Sequence, residues 1–251
     1  MSASRVKEAR RAVEQNSGWY HTIELAPGVT TPGQVDLRAV AERVLPDDLS
    51  GMRALDVGTF DGFWGFEMER RGAEVVAIDV ERLDAAEWPP LRRERLRRRA
   101  QELDLELGRG FALAAEALGS EVERVVCDVY GLTAERIGGA VDIAFAGAIM
   151  LHLRDPVRAL ERIHAVLRPG GELWSMEPWS PWATLAAPRR PSAAFRAADS
   201  AFTWWLPNLA ALAAWPRAAG FAEVERSAIV RPPQHPRRKT YAVMSCRRSG
   251  N

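Results

Sequence analysis

Residues 53–65 read Arg53-Ala54-Leu55-Asp56-Val57-Gly58-Thr59-Phe60-Asp61-Gly62-Phe63-Trp64-Gly65. A short apolar run stops at a glycine, and helical spacing takes over from Gly62 to Arg71. That pattern is a buried strand turning sharply into a helix. Glu74 to Asp79 follows as a second strand with almost no polar alternation, as expected when helices cover both faces. Five more strands are expected at Val122 to Asp128, Val141 to Ala146, Glu172 to Met176, Val224 to Val230 and Thr240 to Cys246. Helices are expected at residues 4–16, Leu37 to Leu45, Leu91 to Leu105, Phe111 to Leu118, Asp155-Pro156 to Leu167, and Asn208 to Ala219. Pro156 suits a first helical turn, and Pro169-Gly170-Gly171 ends that helix.

Strands alternating with helices define an α/β fold with a doubly wound, mostly parallel, seven-stranded sheet. An N-terminal helical segment (1–49) precedes the main domain (50–251). That domain carries a helical insertion (80–120) after strand two and an aromatic, Pro-rich lid (178–210). In such sheets ligands sit beyond the carboxyl ends of the strands, near the switch in strand order.

Three successive strand ends carry signals. Gly58 lets the backbone turn and a ligand approach. Asp79, 23 residues beyond Asp56, is placed to accept both hydroxyls of a ribose. Asp128 and Val129 offer a carboxylate and an amide to the edge of a purine, and Gly147 follows strand four. Each feature alone reads equally as a turn former or helix cap; in register, they indicate an adenosine-type ligand. A dinucleotide site needs a second loop glycine where Phe60 stands, and Asp56 and Asp61 would repel a pyrophosphate. The same acids suit a cation, such as the ammonium and sulfonium of S-adenosylmethionine (SAM). Candidate cofactor contacts are Asp56, Gly58, Thr59, Phe60, Asp61, Gly62, Asp79, Asp128, Val129 and Gly147.

These residues, together with Leu151-His152-Leu153-Arg154-Asp155-Pro156 and Leu167 to Gly171, resemble the class I SAM-dependent methyltransferases over roughly residues 50 to 246. The resemblance implies the Rossmann-like methyltransferase fold, SAM as cofactor and S-adenosylhomocysteine as product, with Phe60 a departure from the usual loop. A narrower similarity, through Trp19-Tyr20-His21, Ile23-Glu24-Leu25 and the Leu-His-Leu-Arg-Asp-Pro segment, is to the tRNA wobble-uridine carboxymethyl-transfer branch. That branch holds an extra carboxylate with a Lys in the N-terminal motif and a Tyr before the His. This chain has no Lys there and Leu151 before His152, which implies plain methyl transfer.

Methyl transfer asks the protein to align a nucleophile, exclude water and, where needed, remove a proton. Four histidines are available. His164 is expected to be structural and His235 to lie on a surface loop. His152, just beyond strand four, and His21, in an aromatic N-terminal segment, are candidate bases. Glu177 is the third, with a plain turn acid before Pro178 as the alternative. Trp19, Tyr20, Trp204, Trp205 and a polar handle, Asn208, are candidate acceptor contacts, which favours a small, aromatic or hydrophobic acceptor methylated on oxygen or nitrogen.

Composition narrows the rest. Hydrophobic residues at 47% and charged residues at 27% exclude a disordered chain, and a net charge of +1 implies no bulk attraction to nucleic acid or anionic membrane. Two cysteines, Cys127 and Cys246, make neither a disulfide framework nor a metal site, and no metal is expected. No signal peptide or membrane-spanning run is visible, so a cytoplasmic monomer or homodimer without a membrane partner is expected. Lys7 and Lys239 are the only lysines. Arg92 to Arg99 keeps a tRNA-modifying enzyme as an alternative, although Glu81, Asp84, Glu87, Glu102, Asp104 and Glu106 around it suggest a salt-bridged solvated face. A non-catalytic SAM-binding protein is the remaining alternative.

Overall fold

The computed structural model describes residues 3–82, 85–102, 107–198, 200, 202–233 and 239–250. His235, Asp84, Asp104 and Glu106, and the expected helix end at residues 103–105, lie outside them.

The central sheet contains β1 (Arg53–Val57), β2 (Glu74–Asp79), β3 (Glu123–Val126), β4 (Val141–Gly147), β5 (Leu167–Pro178), β6 (Glu223–Val230) and β7 (Tyr241–Arg247). Their order is β6-β7-β5-β4-β1-β2-β3. All pairs from β3 across to β5 are parallel, whereas β7 runs antiparallel to both β5 and β6. The chain steps outward from β1 to β3 and then returns to lay β4 on the other side of β1. The crevice of this fold therefore opens above the carboxyl ends of β1 and β4.

Period-two alternation distributes each central strand between two cores. Ala54, Val75, Ala77, Ile143 and Phe145 pack into one cluster, with Ala9 and Ala12 of α1 (Ala3–Gln15) and the segment from Trp19 to Leu49. Leu55, Val57, Val76, Ile78, Ala144 and Ala146 pack into the other, against α6 (Pro156–Val166) and α8 (Leu209–Ala218). With both faces covered, the strands carry no polar stripe.

The remaining helices are α2 (Arg38–Ala41), α3 (Phe63–Arg70), α4 (Pro90–Glu102), α5 (Arg109–Leu118) and α7 (Pro181–Ala186). Expected Leu37 to Leu45 shrinks to the four residues of α2, followed by single turns such as Leu45 N–H to Ala41 O at 3.2 Å. Strand five begins five residues earlier than expected. Its pairing with β4 jumps from Val141↔Leu167 to Ile143↔Glu172, so residues 168–171 bulge out of the ladder between two paired ends. Pro169-Gly170-Gly171 thus ends the helix and serves the strand as well. Two small hairpins, Glu24–Ala26 with Val29–Thr30 and Ala193–Phe195 with Trp205–Pro207, were not expected from the sequence.

Candidate active site

The loop after β1 is anchored to β2. The amides of Gly58 and Thr59 both donate to the Ile78 carbonyl, at 2.9 and 3.2 Å. Gly58 has φ +74°, strained for any side chain, and a Cβ there would lie 2.5 Å from Cδ1 of Ile149, which would have to shift. Phe60 takes φ +51°, a left-handed conformation costing a non-glycine residue roughly 1–2 kcal/mol. Asp79 holds it there. Its Oδ2 accepts the Phe60 amide at 2.8 Å while Oδ1 accepts that of Val80 at 2.7 Å. Burial raises the pKa of Asp79, and these amides oppose that rise.

Asp56 is buried, with Oδ2 accepting the Gly65 amide at 3.0 Å in the first turn of α3. Burial pushes its pKa up to about 7. Asp61 Oδ2 accepts the amides of Tyr20 and His21, clasping the N-terminal segment to the loop after β1. Burial raises it to about 6. Asp128 caps the 3-10 turn Val129–Gly131, its Oδ1 taking the amides of Tyr130 and Gly131 at 2.7 and 2.9 Å.

His21 is buried at the edge of this loop, 4.8 Å from the Tyr20 ring, 5.8 Å from Phe63 and 6.5 Å from Phe60, centroid to centroid. Its Nδ1 has no hydrogen-bond partner among the described residues, and burial lowers its pKa to about 3. Gly33 makes room for it: a Cβ there would lie 2.1 Å from the His21 carbonyl carbon.

Beyond Gly147, which ends β4, Ala148 has φ +54° and donates to Met176 O at 2.7 Å. The amides of Ile149 and Met150 then converge on Glu177 Oε1, each at 2.9 Å. Glu177 is 2% exposed, and burial pushes its pKa up to about 8, so it is no surface turn acid. His152 follows, half-buried, with the edge of Trp88 5.7 Å away. Its Nδ1 bonds the Phe202 carbonyl of the lid. A carbonyl only accepts, so Nδ1 carries the proton and the neutral ring leaves Nε2 as a lone pair. Burial keeps the ring neutral, lowering its pKa to about 4.

The lid grips this loop at several points. The Trp204 amide donates to Leu151 O at 2.8 Å, its indole N–H reaches Glu87 O, and the Trp205 indole donates to Arg154 O at 3.0 Å. Trp88 stands edge-on to both His152 and Phe202, a contact not expected from the sequence. Its position before Pro89-Pro90, inside a charged insertion, was the available signal. Lys239, through its positive charge, adds a little to the lowering at His152 and opposes the rise at Glu177. It lies two residues before Tyr241, which pairs with Pro178 at the end of β5.

Two acceptor contacts need correction. Asn208 is fully buried and saturated. Its Oδ1 accepts from Ala211 and Ser192 amides at 2.8 and 3.1 Å, and Nδ2 donates to Ala187 and Arg190 carbonyls at 3.0 and 2.9 Å. It caps α8 and ties the lid together, with nothing left for an acceptor. Trp19 is 2% exposed with its indole on Val13 O at 3.1 Å, a core residue beneath α1. His164 packs edge-on to Phe221 at 5.0 Å in a structural position.

SAM fits this donor set. Gly58 permits close backbone approach, each Asp79 oxygen retains a second lone pair, Asp128 keeps Oδ2, and buried acids surround the loop. No cluster of His, Cys, Asp or Glu suited to a metal occurs among the described residues.

Comparison with known proteins agrees. The model of the Methyltransferase domain family matches residues 33–226, and the chain belongs to that family. A tRNA U34 carboxymethyltransferase of Azotobacter vinelandii is 31% identical over 187 residues, 73% of this chain and 50% of that protein. The chain spans about half the length of the curated relatives of that name that it matches. The N-terminal domain of EvdMO1, solved with S-adenosylhomocysteine bound, shares the fold at TM-score 0.60 and 19% identity, over 99% of this chain and 98% of that one. The 1,6-didemethyltoxoflavin-N1-methyltransferase of Burkholderia thailandensis shares it at TM-score 0.53 and 23% identity, over 80% and 72%.

Proposed function

We propose that this chain moves the methyl group of SAM to an oxygen or nitrogen of a small, aromatic or hydrophobic acceptor. The observation that carries this reading is the aromatic cover over the end of β4, where Trp88, Phe202, Trp204 and Trp205 enclose the loop bearing His152. Such a wall suits a planar apolar molecule. Residues 1–49 and 178–210 act as closing elements over the domain at 50–251, in a cytoplasmic monomer or homodimer.

Asp79 and Asp128 hold the nucleoside, and Gly58, Thr59 and Gly62 shape the loop beneath it. When bound, SAM supplies a methyl carbon already activated by its sulfonium. His152 takes the acceptor proton at Nε2, because the Phe202 carbonyl fixes the proton on Nδ1. The same lid contact excludes water. Glu177 spends Oε1 on two amides and stays protonated near neutrality, which suits it to holding the loop rather than taking a proton. His21 and Tyr20 line the opposite wall.

The test is incubation of the purified protein with SAM and a panel of aromatic and phenolic acceptors. Release of S-adenosylhomocysteine with a product heavier by one methyl group is expected. Cofactor binding without turnover on any acceptor would favour a non-catalytic SAM-binding protein.

A second reading, a tRNA-modifying methyltransferase, is favoured by the Azotobacter relative and by α4, which exposes Arg93, Arg95, Arg97 and Arg98. Glu94 pairs with Arg97 and Arg98 at 3.4 and 3.6 Å, which takes up part of that charge. Tight tRNA binding that weakens steeply with salt would support this reading over the first.

A further inference from the structure

Helix α7 is packed inside out. Its polar residue, Thr184, is turned into the lid, where its Oγ1 donates to Ser180 O at 2.9 Å and accepts the Leu209 amide at 3.1 Å. Its apolar residues face the opposite way: Trp182 is 80% exposed and Leu185, one turn on, 75%. No residue of the helix is buried. The helix is capped by Ser180 Oγ on the Ala183 amide, and the chain just after it is tied through Asn208 to Ala187 O and Arg190 O. A surface helix normally buries its apolar stripe. A capped helix presenting Trp and Leu to water is built to meet an apolar phase.

The charge around it identifies that phase. Arg189 and Arg190 follow α7 and are both exposed, and the sequence holds no acidic residue from Pro178 to Ala198. An apolar ridge followed by two exposed arginines complements an anionic bilayer surface, where Trp and Leu enter the interface and guanidinium groups meet phosphates. A symmetric contact with a second copy would set Arg189 and Arg190 against their own equivalents. A nucleic acid would use the arginines but leave Leu185 without a partner.

We infer that α7 is a peripheral membrane anchor, seating Trp182 and Leu185 in the interface of an anionic bilayer with Arg189 and Arg190 on its headgroups. The lid over the crevice is then held against the phase into which hydrophobic acceptors partition. The anchor goes beyond the proposed reaction and does not depend on it.

Flotation with vesicles tests this, using phosphatidylcholine alone or with about a quarter phosphatidylglycerol. The protein should float with the anionic vesicles and remain largely unbound with the neutral ones, and added salt should weaken the binding. Trp182→Ala with Leu185→Ala should cut the bound fraction about tenfold, and Arg189→Glu with Arg190→Glu should abolish the preference for anionic lipid. Calorimetry with S-adenosylhomocysteine should give the same affinity for all forms, which shows that the variants are folded and keeps the outcome separate from the catalytic reading. Absence of flotation with either lipid would overturn the inference, as would equal flotation of the Trp182/Leu185 variant. So would a concentration-dependent dimer that the same variant abolishes, which would make a second copy the occupant.

Discussion

The Asp61 carboxylate accepts the Tyr20 amide at 2.6 Å and the His21 amide at 2.9 Å, joining the loop after β1 to a segment some forty residues upstream. One oxygen thereby makes the N-terminal segment and the loop after β1 a single unit. Ordering of the loop and closure of the His21 wall are coupled through it.

Asp61→Ala should therefore act on both. It strands two amides, each costing about 1–3 kcal/mol where water cannot replace the bond. A lowered melting temperature, faster exchange of the Tyr20 and His21 amides, and weaker cofactor binding are expected together. Asp61→Asn keeps an acceptor oxygen and should retain most of the stability. Unchanged exchange at Tyr20 and His21 in the alanine variant would show that the segment is held by its packing alone.

Gly58→Ala should be severe for a reason independent of the cofactor. The new methyl meets Ile149 Cδ1 at 2.5 Å, and φ +74° is strained for any side chain. A loss of about 1–3 kcal/mol in denaturant unfolding is expected, with cofactor affinity falling further because the loop moves. Adding Ile149→Ala removes the clash but not the strain, so it should recover only part of the loss. Full recovery would mean that the backbone conformation carries little of the cost.

The strand ends were legible because β1, β2 and β4 are mostly apolar, so that Asp79 closing β2 and Gly58 following β1 are placed once the strands are. The partner of Asp61 was not legible, since it depends on where Tyr20 and His21 come to rest across the fold. Asn208 was misread although the signal was local: an Asn before Leu209-Ala210-Ala211 is a helix N-cap, and its Oδ1 takes the Ala211 amide. The lid hairpin was hidden because its pairing, Phe195↔Trp205, spans a stretch with no alternation to mark it.

Stability should fall as pH rises through the neutral range. Burial raises Asp56 from 3.8 to about 7 and Glu177 from 4.5 to about 8, so the folded protein holds protons that the unfolded chain releases. The contribution is complete below the unfolded values, is lost as pH climbs toward 7 and 8, and is flat beyond. Each group adds a slope of up to about 1.4 kcal/mol per pH unit within its own window. Melting temperatures of the cofactor-free protein should decline from about pH 6.5 to 8, above the window in which the lowered pKa values of His21 and His152 act the other way, and Asp56→Asn or Glu177→Gln should each flatten part of the decline. A profile identical in Glu177→Gln would mean that this carboxyl is ionised in the folded state.

The same Glu177→Gln variant separates the two candidate proton acceptors beyond β4. A glutamine carbonyl still accepts the Ile149 and Met150 amides, so the loop stays placed and turnover should remain within a few-fold of the parent. Glu177→Ala strands both amides, at about 1–3 kcal/mol each, and should loosen residues 148–153 and lower kcat with them. His152→Ala removes the Nε2 lone pair itself and should cost about 100- to 10,000-fold in kcat, with S-adenosylhomocysteine affinity nearly unchanged. Single-turnover rates on an accepted substrate, alongside calorimetry, measure all three. If Glu177→Gln proved as damaging as His152→Ala while binding the product equally well, the proton would go to Glu177, and the His152–Phe202 contact would serve only to shut the lid.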